Sequence, residues 1–105
     1  MKQFAVYKNK SRNKQVYSYF IDVQAEMLEH LNTRLVMPLT QKTNSNSQVK
    51  MLAPVVTIEQ VDYVVLANMI TTTDVKNLKD ENAVMDASHI SDQLVAAIDM
   101  MILGI

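Results

Sequence analysis

Pro54-Val55-Val56-Thr57-Ile58-Glu59-Gln60-Val61-Asp62-Tyr63-Val64-Val65-Leu66 is two β-branched runs separated by two polar residues. Side chains branched at Cβ are stiff and pack well on a pleated surface, so two such runs joined by a short polar connection read as a β-hairpin. Toward the N-terminus, Leu35, Met37 and Leu39 alternate in a further strand. Pro38 lacks an amide donor and places that strand at a sheet edge or a bulge. Residues 40–50 (TQKTNSNSQVK) are polar and rich in Asn and Ser, the composition of a surface loop. Residues 24–32 are locally helix-like, with Met27, Leu28 and Leu31 as apolar members. Residues 16–23 alternate again, with Tyr17, Tyr19, Ile21 and Val23 on one face and Ser18 and Asp22 on the other. Gln3-Phe4-Ala5-Val6-Tyr7 has strand composition. These first two strands form a hairpin around a long basic loop that carries Lys8, Lys10, Arg12 and Lys14.

Toward the C-terminus, Thr71, Thr72, Thr73 and Val75 give one more strand, after which residues 76–86 lead, mostly polar, into a helix. Ser88 is placed to cap that helix, its hydroxyl accepting from an unpaired first-turn amide. Ile90, Leu94, Ala97, Ile98 and Met101 recur on one helical face, with His89, Asp92, Gln93 and Asp99 mainly opposite. The chain then ends Met100-Met101-Ile102-Leu103-Gly104-Ile105, apolar where termini are usually frayed and polar. Such an end docks on its own domain, on a second copy or on a partner. Gly104 is the only glycine, so the internal turns are expected to rely on Asn, Asp and Ser. Short antiparallel strands followed by one terminal helix make an α+β fold: a small, strongly bent antiparallel sheet or SH3-like barrel with a long C-terminal helix.

With 105 residues, 49% of them hydrophobic and 20% charged, the chain reads as one domain, residues 1–105, and not as a disordered tail. Without cysteine there is neither a disulfide framework nor a cysteine zinc site. No apolar run reaches the ~20 residues that span a bilayer, and the N-terminus lacks the apolar core of a signal peptide. A cytoplasmic location is the expectation. A formal charge of −1 argues against a nucleic-acid binder, yet five of the ten basic residues lie in the first fourteen positions. The basic loop reads either as a solvated hairpin tip or as a lure for an acidic partner.

Chemistry-bearing patterns are absent. A phosphate-cradling loop needs several glycines, and His30 and His89 belong to no ligand-spaced cluster, so no cofactor, metal or catalytic residue is assigned. Ser88, His89 and Asp92 sit together at a helix start, which capping explains without nucleophilic catalysis. Eight methionines and many aliphatics favour an adaptable protein-binding surface over an enzyme.

The blocks Phe20-Ile21-Asp22-Val23-Gln24 and Arg34-Leu35-Val36-Met37-Pro38-Leu39 narrow the reading. With Gln3 to Tyr7, Pro54-Val55-Val56 and the terminal Gly104-Ile105, in this order and spacing, the chain resembles the CcdB family, toxins of toxin–antitoxin modules that poison DNA gyrase. The resemblance runs nearly end to end. It implies a homodimer that binds the gyrase A subunit and traps the enzyme on cleaved DNA, and a CcdA-like antitoxin that neutralises it. No catalysis, direct nucleic-acid contact or membrane contact is implied. Carried over residue by residue, the gyrase-contacting positions are Met27, Leu28, Asp99, Ile102, Leu103, Gly104 and Ile105. The antitoxin surface takes in Lys8, Lys10, Arg12 and Lys14, with the loop from Thr43 to Val49. The best-known gyrase poison of the family has Trp where this chain has Leu103, Asn where it has Asp99, and an aromatic where it has Ile102. Two other readings stay open: a homologue that keeps dimerisation and antitoxin binding without gyrase poisoning, and a MazF-like endoribonuclease on the same barrel.

Overall fold

The computed structural model describes residues 2–47 and 50–104. The hairpin is present as β4 (Val55–Ile58) and β5 (Val61–Val65), antiparallel with Val56 opposite Tyr63 and Ile58 opposite Val61. Its two-residue turn is made by Glu59 and Gln60, both at positive φ (51° and 69°). A two-residue hairpin connection of this hand needs left-handed backbone at both central positions, normally filled by Asn or Gly. The expectation that turns would rest on Asn, Asp and Ser therefore fails here. Phe4, at φ 68°, is a third such position.

β1 (Ala5–Lys8) and β2 (Tyr19–Asp22) pair antiparallel across the basic loop, as expected, although the second strand begins at Tyr19 and not at Val16. β3 (Thr33–Gln41) is the longest strand and the middle of the sheet. One side of it pairs with β2. The other side pairs with β5 and then with β6 (Thr71–Asp74). Pro38 is thus in an interior strand, not at an edge. In an antiparallel ladder the N–H and C=O of one residue point the same way. Pro38 C=O accepts from Leu66 N–H at 2.9 Å, so its missing donor faces the place where β5 gives way to the 3-10 turn Ala67–Met69 before β6 starts. The strand tolerates proline because its partner is interrupted there.

β7 (Ala83–Asp86) pairs with β1 and lies within residues 76–86, which the sequence reading gave to a polar lead into the helix. The full order is β4-β5-β3-β2-β1-β7, all antiparallel and strongly curled, with β6 beside β3. Val75 belongs to a 3-10 turn (Val75–Asn77) and not to the preceding strand. The helix α1 spans Ser91–Leu103 after a 3-10 turn at Ser88–Ile90.

Strand alternation explains two apolar layers. Val6, Ile21, Met37, Leu39, Val56 and Val65 face α1, whose Leu94 and Ala97 close the main core. Ala5, Tyr7, Val36 and Leu78, with Phe20 against them, form a second layer on the opposite face. Asp22 and Arg34 share the parity of that second face, and both are fully buried. Asp22 was expected on a polar face. It is instead part of the interior.

Candidate functional site

The 3-10 turn that leads into the helix is held by Asp86. The Asp86 Oδ1 accepts from Ser88 N–H at 2.7 Å and also from the Ser88 hydroxyl, and Lys2 Nζ donates to Oδ2 at 2.7 Å. Ser88 therefore does not cap α1, whose N-cap Ile90 has no side-chain hydrogen bond; its hydroxyl donates to Asp86 at the preceding 3-10 turn. These contacts hold the Asp86 carboxyl well below the usual carboxylate range, with the Lys2 hydrogen bond the largest influence and the two from Ser88 next.

From that anchored start, Ile90, Leu94 and Ala97 are buried while Ile98 and Met101 are half-buried, the face the periodicity predicts. The far end is different. Ile102 is 75% exposed and Leu103 63% exposed, and Asp99 beside them faces solvent. Gly104 ends the helix at φ 73°, its N–H donating to Met100 C=O at 3.0 Å. No atom lies within 4 Å of where a Cβ would stand, so backbone conformation and not space asks for glycine there. The apolar end is thus held in an ordered helix and presented outward. Ile105 and Val49 lie outside the described residues.

Met27 and Leu28 sit in a 3-10 turn, Glu26–Leu28, exposed by 82% and 41%. The two sequence blocks that carry the family resemblance meet directly beneath this turn. Arg34 Nε donates to Asp22 Oδ2 at 2.8 Å and Arg34 Nη2 to Gln24 C=O at 3.3 Å. Gln24 N–H donates to Asp22 Oδ1 at 3.0 Å, and its side-chain oxygen accepts from Leu35 N–H at 3.1 Å. Gln24 Nε2 then reaches Leu28 C=O at 3.0 Å, and Glu26 Oε1 accepts from Gln3 N–H at 2.6 Å. Burial pushes the Asp22 carboxyl up, against the opposing pull of Arg34 and the Gln24 amide. The turn bearing Met27 is therefore fastened from below while its apolar side chains stay outside. The main packing partners of α1 are the turns Lys50–Leu52, Ala67–Met69 and Ser88–Ile90. The Glu26–Leu28 turn is not among them.

Lys8, Lys10, Arg12 and Lys14 are all exposed, but the loop that carries them is folded on itself. Asn9, only 5% exposed, donates through Nδ2 to Tyr17 C=O and Asn13 Oδ1, both at 2.7 Å, and accepts from Ser11 N–H at 2.9 Å. Hydrogen bonds within the loop thus give its solvent-exposed tip a fixed shape. Lys8 and Lys10 line a cleft of about 560 Å³, and Arg12 and Lys14 do not. Its other wall brings Lys76 and Lys79, from the segment expected only as a polar lead into the helix.

Among the described residues, no cluster of His, Asp and Glu side chains could hold a metal ion, and no helix is long and apolar enough to cross a membrane. No curated protein gives a significant match to the chain. A family model described as CcdB protein matches residues 3–104. With nearly its whole length covered, and with the two diagnostic blocks joined in one buried network, the chain belongs to the CcdB family, the toxins of toxin–antitoxin modules.

Proposed function

We propose that this protein is the toxin of a toxin–antitoxin module, that it binds the DNA gyrase A subunit and traps the gyrase–DNA cleavage complex, and that a CcdA-like antitoxin neutralises it. The mode of action is binding, not catalysis. The observation that carries the reading is the outward-facing helix end, where Ile102 and Leu103 stay exposed on an ordered, glycine-capped helix. Its own domain does not cover it, and adjacent large apolar side chains left in water mark an interaction site. A homodimer that leaves this patch free brings two helix ends and two Met27 turns into one assembly. Sedimentation at micromolar concentration should give twice the chain mass; a stable folded monomer there rejects the dimer.

Leu103 favours one variation on this reading. Buried aromatics dominate interface energies, and truncating such an anchor typically costs ~2–4 kcal/mol, roughly thirty- to a thousand-fold in affinity. Leucine recovers part of the apolar burial and none of the stacking. Wild type should therefore bind an isolated gyrase A breakage–reunion domain weakly, and Leu103→Trp should bind measurably tighter with the same sedimentation. No binding by either variant rejects gyrase as the target and leaves a homologue that dimerises and meets its antitoxin without poisoning gyrase.

A further inference from the structure

The cleft between loop 9–13 and the 3-10 turns of residues 75–82 is not explained by the fold. Its floor is the half-buried Phe20, packed against the buried Leu78 of the second apolar layer. Four lysines surround that floor, Lys8 and Lys10 on one wall and Lys76 and Lys79 on the other, with Glu81 the one carboxylate among them. The cleft thus gathers a net charge of +3 on a chain whose formal charge is −1. A cleft lined by one sign of charge attracts ligands of the other, so four lysines on its walls favour an anionic ligand.

Both walls are fixed before any ligand arrives. The Asn9 network holds the first. On the second, Asp74 Oδ1 accepts from Lys76 N–H at 3.0 Å, Asn77 Nδ2 donates to Thr73 Oγ1 at 3.1 Å, and Leu78, only 3% exposed, pins the turn to the sheet. Lys76 lies in the turn Val75–Asn77 and Lys79 in extended backbone just before the next turn, Asp80–Asn82, and both line the cleft. Pre-formed walls lower the ordering cost of binding.

We propose that this cleft seats an acidic segment of the antitoxin, with an apolar side chain of that segment on Phe20 and its carboxylates shared among Lys8, Lys10, Lys76 and Lys79. The proposal rests on the antitoxin reading above and adds the second wall to it. A nucleic acid fits less well. The cleft offers no arginine fork for phosphates, its aromatic floor is partly covered, and Glu81 stands on the rim.

The test is fluorescence anisotropy with a labelled peptide of alternating Glu and Leu, a matched peptide of Lys and Leu, and a single-stranded DNA. Wild type, Lys76→Glu, Lys79→Glu and Lys42→Glu are compared, the last reversing an exposed lysine outside the cleft. The acidic peptide should bind and the other two should not. Lys76→Glu and Lys79→Glu should each weaken it about ten-fold, against less than about two-fold for Lys42→Glu, because a charge meeting its partner directly counts for far more than one in the diffuse field. Equal loss in all three variants, or equal binding of the DNA, overturns the groove. Thermal unfolding of each variant separates lost binding from lost folding. A CcdA-type antitoxin is titrated in parallel. If it binds Lys76→Glu as tightly as wild type, the groove assignment falls while the antitoxin reading stands. If it binds none of them while the acidic peptide still distinguishes the variants, the groove stands and the antitoxin reading falls.

Discussion

Two ion pairs of nearly equal length stand in opposite surroundings. Arg34 and Asp22 meet at 2.8 Å with both side chains fully buried, whereas Lys2 and Asp86 meet at 2.7 Å with side chains 67% and 43% exposed. Distance does not set their worth. The buried pair forfeits the hydration of both charges, and its attraction repays that only if the remaining polar atoms are matched. Most are: Gln24 N–H serves Asp22 and Gln24 C=O serves Arg34, while Arg34 Nη1 is the buried side-chain nitrogen without a hydrogen-bond partner among the described residues. The exposed pair gives up little hydration and gains little. What it contributes is position, since the same carboxylate caps the turn that starts the helix. One pair joins two strands and the turn bearing Met27; the other joins the N-terminus to the start of α1.

Arg34→Met breaks the comparison hardest. It leaves Asp22 buried without its cation, and removing one partner of a buried pair costs about 3–5 kcal/mol. Chemical denaturation at neutral pH should show that loss. The sign of its pH dependence follows from the burial that already pushes Asp22 up. Without Arg34 the folded pKa rises further above the unfolded value. A raised folded pKa gives stability that is fully present below the unfolded pKa and is lost as pH rises through the folded one. The variant should therefore regain stability on mild acidification from pH 7 to about 5, a window in which ordinary exposed carboxylates stay ionised. A flat or falling profile there would mean that Asp22 is already hydrated in the variant.

Adding Asp22→Asn to Arg34→Met sharpens the same contrast. Asn keeps an oxygen for the Gln24 amide and removes the stranded charge. The double variant should be more stable than Arg34→Met alone at pH 7, with a coupling between the two sites of about 0.5–3 kcal/mol, the range for residues sharing one network. Additive losses in a four-member cycle would show that the pair acts only through volume.

What could be read in the sequence follows the same division between local and distant causes. The β4–β5 hairpin and the buried face of α1 were legible because each is a periodic pattern within one segment. The apolar run that includes Ile102 and Leu103 was legible as an anomaly, but its outward presentation was not, because what covers it is set by the fold. β7 was not, because Ala83-Val84-Met85-Asp86 is too short to show a period and follows a charged run. Asp22 also misled. Alternation correctly set it opposite Ile21, but that opposite face is buried because residues far along the chain, Leu78 among them, fold over it. Lys76 and Lys79 join Lys8 and Lys10 for the same reason: the pairings β1–β7 and β3–β6 bring their walls together, and no local spacing records that.

The exposed pair supplies the smallest effect and the last test. Lys2→Met leaves the Asp86 carboxylate with both Ser88 hydrogen bonds, so at neutral pH the unfolding midpoint should move least of all these variants. Its signature appears in acid. The folded pKa of Asp86 is depressed, mainly by Lys2, so the stability it brings is present above the unfolded value and is lost as pH falls toward the folded one. The loss should begin near pH 4, about the unfolded pKa of an aspartate, and continue below it. In Lys2→Met the folded pKa returns part of the way, so its acid limb should be shallower than that of wild type and end at a higher pH. Salt offers a second handle: raising ionic strength should bring wild type toward the variant, since an exposed pair is screened. It should leave the gap between wild type and Arg34→Met unchanged, because solvent ions do not reach that pair. Equal salt sensitivity of the two gaps would mean that both pairs are wet, and the distinction between them would be lost.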